Sequence, residues 1–456
     1  MYTMAKGSFL SFLSSSIGGS NVTTFLDLDY SKEIEEEDDK SDISKLAIED
    51  TENITPSLHL TTDSKPEIPI IGIGGAGIRL LHQVVNRINL YGMNYLTLAI
   101  DTDITDIEKY ANISHKYHIP GAQTGTAHQY RQAATRVSNA EDEIREKLTK
   151  YFQELGTRHK HEIVFLLMGA GGTGTGAGIE LAKILISMGK RPVPFLLLPS
   201  KEEISRIKFN AAAALYHFSL APKDRCLNLA TICIDNELML DHNSKKYYSA
   251  VISAANERIA ATLGDLIATT ELESHAYSAD LNEFLEIFRD LKCLGVLQYL
   301  QVKNPGKNIS KSFEKNLQDS LSMDVDIFQA TRAYFYVSTI PKQILAEDYR
   351  QLMLKFDNAD VFNKLYETEN DGEFLAIRGI YTGLSYSENI RNIMQLAEDA
   401  RVEILNKEIE NNNLGKVNPK IDRLASDEEI SVRTGSELSE ERAEEFARMH
   451  REGDKH

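Results

Sequence analysis

The chain has 456 residues, 42% of them hydrophobic, so it is long enough for two well-filled domains and additional tails. Acidic residues outnumber basic ones by 68 to 50 and give a formal net charge of −18, which disfavours direct binding to nucleic acid or to anionic lipid. No apolar run has the length of a membrane span, and the three cysteines match neither a metal-binding motif nor a disulfide framework. We therefore expect a cytoplasmic protein that does not insert into membranes.

The first 65 residues are rich in serine, threonine and acid and include the acidic run 33–39. They show no sustained periodicity, which predicts a disordered acidic extension over 1–65. From Pro66 onward, apolar segments alternate with helical stretches at the spacing typical of parallel βαβ units. We therefore predict an α/β domain with a parallel sheet over 66–245.

The remaining chain divides into four predicted parts. A long helix is predicted over 246–270, followed by a smaller α+β domain over 271–385. An amphipathic pattern predicts a C-terminal helix over 386–413. Residues 414–456 are polar and predict a flexible charged tail.

Residues 169–178, which read GAGGTGTGAG, are the most informative stretch. They follow the apolar run 163–168 and lead into a helical pattern, so they predict a glycine loop between a strand and a helix. Glycines let the backbone approach a ligand closely, and loop amides at a helix N-terminus form a site for phosphate. The loop lacks the Gly-Lys-Ser/Thr ending of a P-loop, so backbone amides and a metal ion would have to bind the phosphate.

A first glycine loop, 72–77, reads GIGGAG and satisfies the pattern of dinucleotide-binding folds. Asp101 ends the second predicted strand, at about the position of the acid that binds ribose in those folds. A nicotinamide or flavin enzyme is therefore one alternative. That alternative gives the second glycine loop no function, whereas two phosphate loops on one sheet suit a nucleoside triphosphate.

The motif AGGTGTG at 170–176 resembles the GGGTGTG signature of the tubulin/FtsZ superfamily, with Ala170 in place of the first glycine. Further motifs of that superfamily occur in the same order, and the resemblance covers about residues 68–385. It implies a Rossmann-like GTPase domain, a central helix and a smaller α+β domain, with GTP or GDP and Mg²⁺ as ligands. It assigns no metal-binding side chain.

The resemblance also implies specific contacts with the nucleotide. It puts Gly125 in the loop that senses the γ-phosphate, Glu203 near the ribose, and Asn236 and Asn256 at the guanine, where an amide can both donate and accept hydrogen bonds. The residues that it assigns to nucleotide binding are Gly74, Gly75, Ala76, Asp101, Gly125, Gly171, Gly172, Thr173, Gly174, Thr175, Gly176, Glu203, Asn236 and Asn256.

Residues 278–284, which read SADLNEF, resemble the superfamily's synergy loop. By that resemblance Asp280 and Glu283 are catalytic, but in the nucleotide site of the next subunit, where they orient the water that attacks the γ-phosphate. Taken alone, the spacing of the two acids is also typical of a charged helix start. The resemblance implies a GTPase that assembles with itself head to tail and is activated by that assembly.

Within the superfamily, the segments 117–120, 198–199 and 280–285, the last leading to 294–297, most resemble the TubZ-type proteins of plasmids and phages. That resemblance implies filaments that segregate or position DNA through a DNA-binding adaptor on the C-terminal tail. A division or scaffold protein like FtsZ is the alternative within the superfamily.

Overall fold

The computed structural model describes residues 68–399 except 94, 122–123, 157–161, 223–224, 242–246, 271–275, 290–292, 304–308, 340–344 and 368–373. The predicted N-terminal extension over 1–65, the predicted tail over 414–456 and the end of the predicted C-terminal helix therefore lie outside the described residues. None of the described helices is both long and apolar enough to cross a membrane.

Strands and helices alternate through the first half of the described chain. The strands are β1 (Ile70–Ile73), β2 (Leu98–Asp101), β3 (His115–His118), β4 (Ile163–Gly169), β5 (Arg191–Leu198), β6 (Ala230–Asp235), β7 (Ala276–Ser278), β8 (Cys293–Lys303), β9 (Arg332–Thr339), β10 (Asp360–Glu367) and β11 (Phe374–Leu384). The helices are α1 (Gly74–Asn89), α2 (Ile104–Glu108), α3 (Tyr130–Asn139), α4 (Glu141–Leu155), α5 (Gly172–Ser187), α6 (Ser205–Leu215), α7 (Asn236–Asp241), α8 (Tyr248–Thr269), α9 (Leu281–Glu286), α10 (Ile309–Asn316), α11 (Ala346–Met353) and α12 (388–399).

All eleven described strands belong to one sheet, in the order β3-β2-β1-β4-β5-β6-β8-β11-β9-β10-β7. The first six pair in parallel, and β8 continues the parallel arrangement beside β6. β11 then pairs antiparallel with both β8 and β9. The predicted α/β class, with a parallel sheet followed by a mixed region, is confirmed.

The near-continuous apolar sequence of β4 follows from burial of the sheet on both faces. Side chains alternate between the faces of a strand. Val164, Leu166 and Met168 accordingly belong to one core layer, which α4, α5, α6 and α12 cover, whereas Phe165 and Leu167 belong to the other layer, which α1, α8 and α9 cover. The carboxyl ends of the strands remain available for a ligand site.

The long helix α8 is joined to its neighbours through the buried carboxylate of Asp265. Arg87 of α1 donates to it from Nε at 2.5 Å and from Nη2 at 2.9 Å. The hydroxyls of Tyr91 and Tyr336 donate to the same carboxylate at 2.8 and 3.0 Å, and Nε of Arg378 lies 3.4 Å from Oδ2. One carboxylate thus links α1, α8, β9 and β11.

Candidate nucleotide site

The strand order reverses between β1 and β4. β2 and β3 follow β1 on one side, whereas β4, β5 and β6 lie on the other, which is the order 3-2-1-4-5-6 of doubly wound folds. Ligands of such folds bind outside the carboxyl ends of the strands at this switch point. Both glycine loops lie there, because α1 begins at Gly74 directly after β1 and α5 begins at Gly172 shortly after β4.

The two glycine loops are in direct contact. Gly74 has a φ of +69°, which favours glycine, and a Cβ added to it would lie 2.8 Å from the backbone nitrogen of Gly174. The sequence predicted two phosphate loops, and the fold brings these two segments together at one point of the sheet.

Three glycines of the second loop allow close packing. A Cβ on Gly172 would collide with the Thr126 hydroxyl, one on Gly174 with the carbonyl of Gly169, and one on Gly176 with the carbonyl of Tyr130. Gly171 differs, since a Cβ there would meet nothing within 4 Å. Its backbone, which forms the N-cap of α5 at φ −72° and ψ 176°, lies beside open space at a helix N-terminus.

The loop before α3 contributes strained backbone next to the second glycine loop. Gly125 has a φ of +73°, and two non-glycine residues, Ala127 and His128, have φ values of 47° and 65°. Asn210 of α6 holds this loop by donating to the carbonyls of His128 at 3.0 Å and Ala170 at 3.2 Å. Gly125 therefore lies in a segment that borders the glycine loops. Such strain often accompanies function.

Asp101 lies at the end of β2 and is buried. Its Oδ1 accepts hydrogen bonds from the backbone nitrogens of Thr102 at 2.7 Å and Asp103 at 3.2 Å. Burial raises the pKa of Asp101 to about 6, although these two hydrogen bonds act to lower it. The Thr102 hydroxyl is 2.6 Å from that of Thr173, so the end of β2 is joined to the second glycine loop.

Asn236 and Glu203 lie at the ends of the next two strands. Asn236 is half-buried and begins α7 at the end of β6, and Glu203 lies in the turn after β5, where its nitrogen donates to the Ser200 carbonyl at 3.2 Å. Neighbouring strands are about 4.8 Å apart, so β1 and β6 are separated by roughly 14 Å. That span is comparable with an extended nucleoside triphosphate. Asn256 lies on α8, which packs against α7.

Two acids that sequence reasoning did not single out fix the turn around Asn236. Asp235 accepts from the nitrogen of Glu237 at 2.9 Å, and burial raises the pKa of Asp235 to about 6. Glu237 accepts from the nitrogen of Lys201 at 2.5 Å and lies 2.6 Å from its Nζ. An aspartate before a short helix is a capping signal that could have indicated Asp235.

Several buried polar atoms around the loops have no hydrogen-bond partner within the described residues, namely Asp101 Oδ2, Ser200 Oγ and Asn210 Oδ1. Buried polar atoms are rarely left unsatisfied, so these atoms and the open backbone at Gly171 fit a polar ligand that reaches from the end of β2 to the end of β5.

No cluster of three or more potential metal-binding side chains occurs among the described residues. Mg²⁺ commonly binds through phosphates and water with only one or two carboxylates, so this arrangement fits Mg²⁺ brought by a nucleotide. Asp103 and Asp106 are acids close to the loops, since a Cβ on Gly125 would lie 3.6 Å from Asp103 and one on Gly75 would collide with Asp106.

Asp280 and Glu283 form a reciprocal capping box at the start of α9. Asp280 Oδ1 accepts from the nitrogen of Glu283 at 2.9 Å, and Glu283 Oε2 accepts from the nitrogen of Asp280 at 2.8 Å. Both acids therefore have a structural function, and each retains a second carboxylate oxygen. Phe284 packs on Phe165, which precedes the end of β4 by about 13 Å of strand. The structure thus does not bring the two acids to the glycine loops of their own chain.

Residues 67–244 match the family model described as "Tubulin/FtsZ family, GTPase domain". No curated protein sequence matches the chain. Among solved structures, CetZ1 from Haloferax volcanii, as a GDP-bound monomer, shares 18% identity at a TM-score of 0.60 and covers 74% of this chain and 100% of its own.

Two other solved structures are also similar to this chain. FtsZ from M. jannaschii shares 20% identity at a TM-score of 0.56, covering 70% of this chain and 89% of its own. TubZ from Bacillus thuringiensis serovar israelensis, in a GTPγS-form protofilament, shares 16% identity at 0.60, covering 76% and 95%. Residues 67–244 are therefore similar to the GTPase domain of the tubulin/FtsZ family, and the chain shares its fold with CetZ, FtsZ and TubZ.

Proposed function

We propose that this protein polymerises head to tail and that Asp280 and Glu283 of one subunit complete the GTP site of the next. One observation carries the proposal. The glycine loops lie at the carboxyl ends of β1 and β4, whereas α9, which bears the two acids, packs against the face of the sheet near Phe165. The acids reach a nucleotide only if it is bound by another copy.

The residues of the site have distinct functions in this proposal. Backbone amides at Gly171 and the following turn of α5 bind phosphate through the helix N-terminus. Asn236 and Asn256 bind the guanine, and Glu203 binds the ribose. Mg²⁺ would neutralise charge on the phosphates.

Asp280 and Glu283 bind and orient the attacking water through the carboxylate oxygens that the capping box leaves free. Phosphoryl transfer depends mainly on positioning and charge stabilisation, so a fixed pair of acceptors contributes by aligning the water. The capping box is suited to this function because it fixes both side chains before assembly. Hydrolysis is then slow in the monomer and fast in the filament.

For the biological role we infer segregation or positioning of plasmid or phage DNA in the cytoplasm, with an adaptor bound to the C-terminal tail. The sequence likeness to TubZ-type proteins supports this role. The TubZ neighbour is itself a protofilament, and its TM-score of 0.60 equals that of CetZ1. An FtsZ-like division or scaffold protein is the alternative role. Cellular localisation of the tagged protein, with or without a co-resident plasmid, distinguishes the two.

The capping box allows a clean test of catalysis in trans. Glutamine also serves at the third position of a capping box and asparagine serves as an N-cap, so Glu283→Gln and Asp280→Asn remove charge while keeping the helix start. We expect both variants to sediment as filaments with GTP and Mg²⁺ while phosphate release falls at least about tenfold, the scale of a lost positioning group.

Asp326→Asn is the matched control, because Asp326 caps a different helical turn by accepting from the nitrogen of Phe328 at 3.0 Å. It should hydrolyse GTP at the wild-type rate. Full activity of Glu283→Gln, or hydrolysis per subunit that does not depend on protein concentration, contradicts the proposal.

The second alternative, a dinucleotide-binding enzyme, is favoured by the strand order and by Asp101 at the end of β2. A competition experiment with GDP and NAD distinguishes the GTPase from the dinucleotide-binding enzyme. Displacement of bound GDP by NAD at a similar concentration would favour the dinucleotide-binding enzyme.

A further inference from the structure

Asn236 lies between two buried acids in the sequence, and each acid is hydrogen-bonded to a different part of the fold. Asp235 is 2% exposed and Glu237 is 7% exposed. Glu237 is bound by Lys201, in the turn that leads to Glu203, and Asp235 is bound by Asn389 of the C-terminal helix α12. We propose that Asn389 is a positioning residue for guanine recognition, acting through Asp235 on Asn236, so that α12 forms part of the nucleotide site. This inference rests on the proposed function.

The contacts of Asp235 leave its side chain little freedom. Its Oδ1 accepts from Asn389 Nδ2 at 2.8 Å, from the nitrogen of Glu237 at 2.9 Å and from the nitrogen of Leu238 at 3.4 Å. The backbone nitrogen of Asp235 donates to the carbonyl of Ser322 at 2.7 Å. The bond from Asn389 is the only one of these three side-chain bonds that comes from outside the turn itself.

The helix that carries Asn389 is firmly anchored on both sides of this bond. Ser387 Oγ accepts from the nitrogen of Ile390 at 3.3 Å, and Ile390 and Ile393 are 1% and 2% exposed within the main core. Farther along α12, Ala397 packs on a small cluster formed by Tyr130, Phe209 and Ala213. The helix therefore spans from the Asn236 turn to α3 and α6, next to the loops that border the phosphate side.

A base-reading amide depends on such support. Asn236 discriminates guanine only if its amide is held at the correct distance and angle, and an error of about 1 Å is costly. Lys201 holds the turn through Glu237, and Asn389 holds it through Asp235. Loss of the hydrogen bond from Asn389 makes the Asp235 side chain more mobile and, through it, the first turn of α7.

The test is an equilibrium titration of the full-length protein with fluorescent GDP and, separately, fluorescent ADP. We expect Asn389→Ala to lower GDP affinity about fivefold to tenfold, less than the loss of a direct hydrogen bond to a charged group because Asn389 acts through Asp235, while ADP affinity changes less. Asn389→Asp, which puts a second carboxylate beside Asp235, should lower GDP affinity further. Gln395→Ala is the control, because Gln395 lies on the same helix and donates to the exposed carboxylate of Asp399 at 2.8 Å, away from Asp235.

Selectivity distinguishes positioning from a purely structural effect. A smaller GDP-to-ADP affinity ratio for Asn389→Ala than for Gln395→Ala supports the inference. An unchanged ratio overturns it, even where the melting temperature falls. If the wild-type protein binds no GDP, the proposed function fails as well, whereas wild-type GDP binding with an unaltered ratio in the variant refutes only the inference about Asn389.

Discussion

At the residue scale, the glycines of the second loop divide into two groups. Gly172, Gly174 and Gly176 are needed because neighbouring backbone or side-chain atoms occupy the space of a Cβ, whereas Gly171 faces open space. Some glycines of this motif are thus required for packing within the protein, and Gly171 is instead expected to leave room for a ligand. Only the second of these roles bears directly on phosphate binding.

This division predicts opposite effects of two alanine substitutions. Gly171→Ala should stay within about 1 kcal/mol of wild-type stability, since its φ of −72° and ψ of 176° are allowed for alanine and its Cβ meets no neighbour, yet its methyl group should weaken GDP binding. Gly176→Ala should lose about 1–3 kcal/mol through collision with Tyr130. Urea unfolding and GDP titration of both proteins measure the two effects. A destabilised Gly171→Ala with normal GDP affinity contradicts this assignment.

Asp101 makes a prediction about pH. Its folded pKa of about 6 lies above its ordinary value of 3.8, so its contribution to stability is fully present below about pH 4 and is lost as the pH rises through 6. Asp101→Asn, which cannot ionise, should therefore be more stable than wild type at pH 8, by up to about 3 kcal/mol. Unfolding free energies in urea from pH 4 to pH 8 check this. The advantage should shrink toward pH 4, and a constant difference would show that another effect dominates.

At the scale of elements, the buried carboxylate of Asp265 connects α1 and α8 with the strands β9 and β11. Asp265→Asn leaves Arg87 and Arg378 without their shared carboxylate. We expect a loss of about 3–5 kcal/mol in the free energy of unfolding, as for other broken buried ion pairs. Glu146→Gln, which breaks the exposed pair with Lys150, should change stability little. If the two substitutions lowered the free energy of unfolding by similar amounts, Asp265 would not have the stabilising function assigned to it.

The sequence predicted local features more fully than connections between them. Apolar runs followed by glycine-rich segments predict β1, β4 and their loops, because those signals are local in the sequence. The links from Arg87 to Asp265 and from Asn389 to Asp235 join residues 178 and 154 positions apart, and no periodicity encodes such pairs. The spacing of Asp280 and Glu283 indicated a helix start, but their mutual hydrogen bonds emerged only from the backbone geometry.

At the scale of the whole molecule, β8 pairs with β6, so the strands after α8 extend the sheet of the GTPase domain. The sequence predicts a smaller α+β domain over 271–385 but not which strands it pairs with, since strand partners across a long helix are not visible in local patterns. A continuous sheet offers a rigid path between the glycine loops and α9. Rigidity suits the proposed head-to-tail assembly, in which the glycine loops and the two acids would face different neighbours.

If two subunits share each catalytic site, a mixture of two differently impaired proteins should regain activity that neither has alone. Gly171→Ala should impair the nucleotide loop but keep the acids, and Glu283→Gln keeps the loop but lacks the acid. Each protein alone should release little phosphate from GTP. An equal mixture should recover about a quarter of the wild-type rate, because about a quarter of head-to-tail contacts in a random copolymer join an intact loop to an intact acid pair. No recovery in filaments shown by sedimentation to contain both proteins would contradict catalysis between subunits.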